Sequence, residues 1–152
     1  MKGYLAGACA LVVALLAIGC GSSGDSSSKA SNTSATISKV EYLKRADAIC
    51  GRTEKEQLKL VASFPQGKPT QKAQVELIEH AGIPPLQEQA KQLGDLPAPR
   101  EDAAQAEAYV VAFTKGLKKA EEDPGAMLKA PSPFAEAEAL AAKVGFKVCK
   151  GA

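Results

Sequence analysis

The sequence ISKVEYLKRADAICGRTEKEQLKLVASF, residues 37–64, predicts a long amphipathic helix. At about 100° per residue, its apolar side chains fall on one face and its charged side chains on the other. Ser38 followed by Glu41 matches a capping box at the start of this helix, and Pro65 with Gly67 predicts its end. The predicted buried face comprises Tyr42, Leu43, Ala46, Ile49, Cys50, Thr53, Leu60, Val61 and Phe64.

Three further helical segments are predicted on the C-terminal side. Thr70 opens the second, and Gly82-Ile83-Pro84-Pro85 is expected to break or kink it, because proline lacks the amide hydrogen and clashes with the preceding turn. The third spans about 99–122, and Ser132 begins the fourth, with Gly145 as its left-handed C-cap. No stretch alternates with a period of two. The prediction is an all-α fold, an up-and-down four-helix bundle with a proline-broken second helix.

Aromatic side chains are predicted to fill the core of this bundle. Tyr42, Tyr109, Phe113 and Phe134 occupy inward positions, and Phe146 is expected to fold back on the apolar side. Alanine-rich faces and a broken helix can also leave space. A ligand cavity among these side chains is therefore an alternative to simple core filling.

On the N-terminal side, two segments differ in composition from the helices. Residues 1–19 carry one positive charge, at Lys2, followed by a run rich in Leu, Val and Ala, which is typical of a secretory signal peptide. Residues 20–36 are mostly small or polar and cannot bury enough apolar surface to offset the entropy of ordering them. We therefore predict a signal peptide, a disordered linker and a helical domain at 37–152.

The junction of the first two segments, Leu16-Ala17-Ile18-Gly19-Cys20, resembles the lipobox of bacterial lipoproteins. In that family a small residue precedes a cysteine, which receives a diacylglyceryl group on its sulfur and becomes the new N-terminus. The usual leucine three positions before the cysteine is Ala17 here. The resemblance implies that Cys20 is the lipidation site and that the protein is anchored to the cell membrane on its extracytoplasmic side.

Two alternatives concern this region. Cys9 also follows small residues, but only Gly3–Leu5 would separate Lys2 from that site, which is too short for an apolar core. The other alternative is an ordinary secreted protein that is cut near Cys20, or an uncleaved anchor helix.

Cys50 and Cys149 remain as a pair once Cys20 carries lipid. Export places them in an oxidising compartment, which predicts a disulfide between them. Such a bond would close a loop of about 100 residues and contribute up to about 4.7 kcal/mol in the chain-entropy model. The alternative is a catalytic Cys50 with His80 as base, although burial on an apolar face lowers the reactivity of a thiol.

The chain offers little for metal, cofactor or nucleic-acid chemistry. His80 and Glu76 lie one helical turn apart, but zinc sites use three or four protein ligands, so an exposed ion pair is expected. Haem, phosphate-loop and nucleophile-elbow motifs do not occur in the sequence. Charges alternate along the chain to a net value of +2, which disfavours nucleic acid as a partner. We expect no catalytic residue, no metal ligand and no cofactor.

The region after Cys20 is similar to small helical lipoproteins of Actinobacteria, a family without an assigned activity. Three short motifs carry the similarity: Ala-Asp-Ala-Ile-Cys at 46–50, Leu-Pro-Ala-Pro at 96–99 and Gly-Phe-Lys-Val-Cys at 145–149. The resemblance implies an extracytoplasmic location and a pairing of the two cysteines. It implies no reaction.

These features predict a binding or interaction module that is tethered to the outer face of the cytoplasmic membrane. Its partners would be membrane lipid, through the acyl anchor, and an envelope protein or a small ligand. The alternative is a carrier of a small apolar ligand between the helices, which needs a cavity of about 300 Å³ or more. An enzyme is the third hypothesis, and it requires polar side chains that converge on Cys50 or His80 in a cleft.

Overall fold

The computed structural model describes residues 37–63 and 69–151, so the predicted signal peptide, Cys20 and the linker lie outside the described residues. Within those ranges the chain is helical and contains no β-strand, which confirms the all-α class. The α-helices are α1 (Lys39–Ala62), α2 (Gln71–Leu77), α3 (Ile83–Gly94), α4 (Ala103–Glu122) and α5 (Ala135–Val144). The shorter elements are a π-helical turn (Ile78–Gly82) and two 3₁₀ turns (Pro124–Leu128 and Cys149–Gly151).

The start of α1 agrees with the prediction, although only half of the capping box forms. The Ser38 hydroxyl accepts a hydrogen bond from the Glu41 N–H at 3.2 Å. The Glu41 carboxylate accepts instead from Arg45 Nε, one turn further along, at 2.7 Å. That hydrogen bond holds the pKa of Glu41 below its usual value. A charged partner on the same helix therefore competes successfully with the backbone N–H of the cap.

Other parts of the described chain cover the apolar face of α1 along only part of its length. Its buried residues all lie between Tyr42 and Thr53. Beyond them, Leu58 is 62% exposed and Val61 is 46% exposed, while Leu60 is half-buried. The prediction that Val61 is buried is wrong. Helical periodicity identifies a face, but it does not say how far along the helix that face is covered.

The predicted break in the second helix is replaced by a π-helical turn. The Ile83 N–H donates to the Ile78 carbonyl, five residues back, and the backbone on both sides of the turn stays helical. Pro84 and Pro85 follow in the first turn of α3. In a regular α-helix, a proline ring clashes with the carbonyl group four residues earlier. The π-helical turn contains one extra residue, which relieves this clash and accommodates the prolines. Residues 71–94 are therefore one continuous helical segment.

α4 begins at Ala103, later than predicted, because residues 100–102 form a turn, and Asp102 is its N-cap residue. The Asp102 side chain does not cap the helix. Its Oδ1 instead lies 2.8 Å from Lys39 Nζ, and the residue is only 7% exposed. Asp102 thus forms a partly buried ion pair with Lys39 at the start of α1.

α5 also begins later than predicted, whereas its C-terminal end agrees with the prediction. The Ser132 hydroxyl accepts from the Phe134 N–H at 3.1 Å, and the helix starts at Ala135. Gly145 adopts a left-handed conformation with φ of 99°, as predicted for the C-cap. The Phe146 N–H donates back to the helix, and its ring is 3% exposed. This geometry turns the end of the chain toward α1.

Helical segments that follow one another in the chain pack against each other. α3 lies against both α1 and α4, and α4 lies against α5. The C-terminal 3₁₀ turn contacts both α5 and α1. Gly116 on α4 makes the closest approach, because a Cβ there would lie 2.7 Å from both the Phe134 ring and the Pro133 carbonyl. The missing side chain lets α4 lie directly against the segment that precedes α5.

A row of aromatic rings forms the centre of the core, as predicted. Phe146 lies between Tyr42 and Tyr109, with ring centroids 5.8 and 5.0 Å away. Phe113 lies between Tyr109 and Phe134, at 6.1 and 5.2 Å. These distances suit tilted and edge-on ring contacts. Burial raises the pKa of both tyrosines, and the Tyr109 hydroxyl has no hydrogen-bond partner among the described residues.

Candidate functional site

Cys50 on α1 and Cys149 near the end of the chain form a disulfide, in agreement with the sequence prediction. Their Cα atoms are 5.2 Å apart, and the two residues are separated by 99 positions in the sequence. Both cysteines are buried, at 5% and 1% exposure. The sulfur of Cys50 is therefore engaged in a covalent bond and is not the free thiol that the catalytic alternative requires. Cys20, the predicted lipidation site, lies outside the described residues.

Asp47 holds the segment around this disulfide, although the sequence analysis did not single it out. Its Oδ1 accepts hydrogen bonds from the backbone N–H groups of Val148 at 2.8 Å and Lys147 at 3.0 Å, with Cys149 N at 3.4 Å. Its Oδ2 lies 3.1 Å from Lys147 N. A carboxylate that accepts from several backbone N–H groups makes short, charge-assisted hydrogen bonds. Asp47 thus acts as a cap for the C-terminal 3₁₀ turn, supplied by a distant helix.

Two of the motifs that carry the family resemblance meet at this point. Residues 46–50 supply the carboxylate and one cysteine, and residues 145–149 supply the N–H groups and the other cysteine. Asp47 precedes Cys50 by three positions, which places both on the same side of α1. That spacing is the sequence signal that would have identified Asp47. We call Asp47, the disulfide and residues 145–151 the C-terminal clasp.

A cleft of about 310 Å³ opens beside the C-terminal clasp. Its three walls are α1, α3 and the segment at the end of the chain. Ligand pockets in proteins usually span about 300–1,000 Å³, so this cleft suits a small molecule. We call it the clasp cleft. Its lining residues are Cys50, Thr53, Glu54, Gln57, Leu86, Gln89, Lys147, Val148, Cys149 and Gly151.

The buried polar side chains of the clasp cleft are incompletely paired. Gln89 on α3 is 3% exposed, and its amide nitrogen has no hydrogen-bond partner among the described residues. Thr53 is 7% exposed, and its hydroxyl donates to the Ile49 carbonyl over a long 3.4 Å. Gln57 donates to the Gly82 carbonyl at 3.1 Å and so ties α1 to the π-helical turn. An unpaired buried amide costs about 1–3 kcal/mol.

Two exposed charges of opposite sign lie at this cleft. Glu54 belongs to the wall formed by α1, and Lys147 belongs to the wall formed by the C-terminal clasp. Neither side chain takes part in an ion pair with another described residue. The cleft therefore presents a carboxylate, an ammonium group and an amide on three different walls.

His80 does not belong to the clasp cleft. It lies exposed on the π-helical turn, and the expected ion pair with Glu76 does not form. Glu76 lies 3.9 Å from Lys72 instead. Across residues 37–63 and 69–151, no group of three or more His, Cys, Asp or Glu side chains is arranged to hold a metal ion. The polar residues that line the clasp cleft beside Cys50 surround a disulfide sulfur and not a free thiol.

A second, more apolar groove lies where α3 leads into α4. Its volume is about 190 Å³, which is below the usual range for small-molecule sites. Glu107 is the only ionisable acid or base among its lining residues apart from the Tyr42 phenol. The remaining lining residues are Leu93, Gly94, Leu96, Ala98, Ala103, Ala106, Val110 and Val111.

No helix in the described part of the chain combines the length and the apolar character needed to cross a membrane. Comparisons with protein-family models, curated proteins and solved structures gave no match. The clasp cleft, with its unpaired amide and its two free charges, is therefore the feature on which a functional proposal rests.

Proposed function

We propose that this protein is a binding module and that its ligand, a small polar molecule, occupies the clasp cleft. The observation that carries the proposal is the cleft of about 310 Å³, whose lining includes the polar side chains of Glu54, Gln89 and Lys147. The walls are held by the disulfide and by Asp47, so the site is formed in the absence of ligand. Preformed walls reduce the ordering entropy that binding costs.

Nuclear magnetic resonance would test this proposal directly. A library of amino acids, dipeptides, monosaccharides and nucleosides is titrated into the isotope-labelled full chain. We expect at least one member to shift the resonances of Leu86, Gln89 and Val148 together. Val148→Trp should abolish the response by filling the cleft, whereas Val40→Trp should leave it intact, since Val40 is 77% exposed and does not line the cleft. A library that shifts none of these resonances would contradict the proposal.

An apolar cargo is the second candidate. The volume of the clasp cleft is sufficient for it, but Gln89, Glu54 and Lys147 in the lining favour a polar ligand. A fluorescent apolar probe separates the two candidates. Fluorescence that rises on binding, and that falls in Val148→Trp but not in Val40→Trp, would favour the apolar cargo.

We propose further that the module is a lipoprotein, anchored through Cys20 to the extracytoplasmic face of the cell membrane. The support is the sequence Leu16-Ala17-Ile18-Gly19-Cys20 and the polar segment that follows it. Labelled fatty acid should be incorporated into the wild type and into Cys9→Ala, which is the matched control. Incorporation should be lost in Cys20→Ala. Equal labelling of Cys20→Ala and wild type would overturn the anchor.

We also propose that the helical segments form an up-and-down bundle, with 71–94 as a single segment. The support is that contacts between α1 and residues 71–94 follow an antiparallel order. Arg52 bonds to Gln92 at 2.6 Å, while Gln57, further along α1, bonds to Gly82, earlier in the next segment. Spin labels at positions 72 and 59 should therefore lie closer together than labels at 72 and 44. The reverse order of distances would contradict the antiparallel arrangement.

A further inference from the structure

We infer that one side of α1, together with the C-terminal clasp that packs on it, lies against an anionic lipid surface. The inference rests on the proposed anchor at Cys20, which would hold the domain near the membrane, and it adds a second contact between protein and lipid. Three observations support it: a line of exposed apolar side chains, a set of lysines without ion pairs beside that line, and the length of chain between Cys20 and α1.

Three exposed apolar side chains form the line. Val40 and Leu58 leave α1 in the same direction, about five turns and 27 Å apart along the helix axis. Gly51 lies between them, turned from that direction by about 20°. A Cβ at Gly51 would lie 3.8 Å from Val148 Cγ1, so the Val148 side chain lies beside the helix at this point. Val40, Val148 and Leu58 are therefore in a row, and all three are exposed.

Five exposed lysines accompany the apolar line: Lys44, Lys55, Lys59, Lys147 and Lys150. The three on α1 lie within about 100° of the line, on the side opposite the buried residues of the helix. The two in the clasp are close neighbours of Val148 in the chain. None of the five forms an ion pair with another described residue. We call the three apolar residues and these five lysines the basic face.

Acidic residues on this side of α1 are fewer than the lysines. The Asp47 carboxylate accepts hydrogen bonds from the backbone of the clasp, and Glu41 bonds to Arg45. Glu54 is an exposed acid near the clasp. The basic face therefore carries a net positive charge, which an anionic surface complements.

By contrast, α2, α3 and α4 each hold a lysine that is paired within its own helix. In each case an acid follows the lysine at the fourth position: Lys72–Glu76, Lys91–Asp95 and Lys118–Glu122. On α1, the fourth residue after Lys44 is Ala48, and the fourth residue after Lys55 is Lys59. Like charges at this spacing repel each other and destabilise a helix slightly. Lipid phosphates beside Lys55 and Lys59 would remove that penalty.

A lipid bilayer complements both parts of the basic face. Valine and leucine side chains can enter the boundary between headgroups and acyl chains, while lysine side chains extend to the phosphates. Anionic headgroups attract basic segments close to the membrane surface. A soluble polyanion would complement the lysines but would leave the apolar line exposed.

The anchor brings the basic face within reach of such a surface. Residues 20–36 can span at most about 60 Å, and α1, which begins at Lys39, is about 36 Å long. The chain between Cys20 and α1 is therefore long enough for the whole helix to lie along the membrane. A tether also raises the effective concentration of the face at the surface, so a contact too weak to act alone becomes populated.

Fluorescence quenching by brominated phosphatidylcholine tests the inference on the anchored chain, recovered from membranes and reconstituted into vesicles that contain phosphatidylglycerol. Lipid on Cys20 and the disulfide leave no other thiol to label, so Leu58→Cys and Leu128→Cys each carry one environment-sensitive fluorophore. Leu128 is the control, because it is exposed but lies on a 3₁₀ turn that packs against α4. We expect the brominated lipid to quench the label at position 58 about threefold more than the label at position 128.

Charge variants test the electrostatic part of the contact. Lys55→Gln with Lys59→Gln should lower the ratio of bound to free face by about tenfold or more, since each lysine near an anionic surface contributes about fivefold. Vesicles of phosphatidylcholine alone should cause the same reduction in the wild type. Lys118→Gln with Lys119→Gln is the matched control, because both lysines lie on α4 outside the basic face, and it should leave the quenching unchanged.

Equal quenching at positions 58 and 128 would overturn the inference, and so would quenching that depends neither on phosphatidylglycerol nor on Lys55 and Lys59. The anchor would stand in both cases, provided that the chain still sediments with the vesicles. A chain that does not sediment with the vesicles would overturn both the anchor and the inference. The library titration tests the ligand of the clasp cleft separately.

Discussion

Gln89 and Tyr109 both bury a polar atom that has no partner among the described residues, but their surroundings differ. Gln89 lines a cleft of about 310 Å³ between two helices and the C-terminal clasp. Tyr109 lies within the row of rings, with Phe146 5.0 Å and Phe113 6.1 Å away. The Gln89 residue thus lies at a surface opening, although its amide nitrogen is itself buried. An unpaired hydroxyl inside a packed core is tolerated because the burial of its ring outweighs the lost hydrogen bond.

The C-terminal clasp forms one wall of the cleft beside Gln89. Loss of its disulfide should have the largest effect on stability of the changes described below. Replacing both Cys50 and Cys149 by serine should lower the free energy of unfolding by about 2–5 kcal/mol, since the bond closes a loop of 99 positions. Denaturant unfolding of the variant measures this change. Reductant should destabilise the wild type to the same level and should leave the serine variant unchanged. A variant as stable as the wild type would contradict the structural role of the disulfide.

Asp47→Ala should be the next largest change, and it should act on the cleft more than on the core. The variant loses an acceptor for the Lys147 and Val148 N–H groups, which we expect to cost about 1.5–3 kcal/mol. Asp95→Ala is the control, because its pair with Lys91 is exposed, spans 3.7 Å and should contribute less than about 1 kcal/mol. Equal losses in the two variants, measured by denaturant unfolding, would show that Asp47 does not hold the clasp.

Gly116→Ala should disturb the core and leave the cleft intact. A Cβ at Gly116 would lie 2.7 Å from the Phe134 ring and from the Pro133 carbonyl, so we expect a loss of about 1–3 kcal/mol. A Cβ at Gly94 would lie 3.9 Å from Val110, an ordinary contact. Gly94→Ala should therefore leave stability unchanged or raise it by up to about 1 kcal/mol. Thermal unfolding of both variants checks the difference, and a neutral Gly116→Ala would contradict the close packing.

Tyr109→Phe should give the smallest effect, and a favourable one. Removing an unpartnered hydroxyl from the core should leave the free energy of unfolding unchanged at neutral pH or raise it by about 1 kcal/mol. Denaturant unfolding at neutral pH measures this change. A clear loss of stability would indicate that the hydroxyl has a hydrogen-bond partner.

The same variant should alter the response to alkaline pH. Burial raises the pKa of Tyr109 above its ordinary value of 10.0, so the folded chain keeps a proton that the unfolded chain releases. Wild-type stability should therefore be independent of this group below pH 10 and should fall as the pH rises above that value. The fall should be smaller in Tyr109→Phe. Unfolding curves collected across that pH range would contradict the assignment if the two proteins lost stability equally.

Local sequence patterns predicted the helices well, and they failed where a distant residue intervened. The Ser38 and Gly145 caps were predicted correctly because a cap depends on neighbours within one turn. Asp102, at the start of α4, pairs with Lys39, 63 positions away, which no local pattern indicates. The break expected at Pro84 became a π-helical turn because the packed helix keeps its helical hydrogen bonds by widening one turn.

Of the candidate site, the sequence predicted only the disulfide. Cys50 and Cys149 could be paired by counting cysteines, because a disulfide depends on residue type and compartment. Asp47 was missed although its three-residue spacing from Cys50 places it on the same side of α1, and Gln89 gave no signal, since an amide on an amphipathic helix usually faces solvent. Their role depends on the C-terminal segment folding back on α1 and on α3 lying beside it.

The order of residues alone therefore specified the helical class, most helix ends, the aromatic core and the cysteine pair, because each follows from periodicity, capping or composition over short distances. Long-range packing specified the Asp47 contacts, the partly buried Asp102–Lys39 pair and the cleft around Gln89. These features join residues from separate helices, and the free energy of each depends on desolvation and partners that no local pattern encodes.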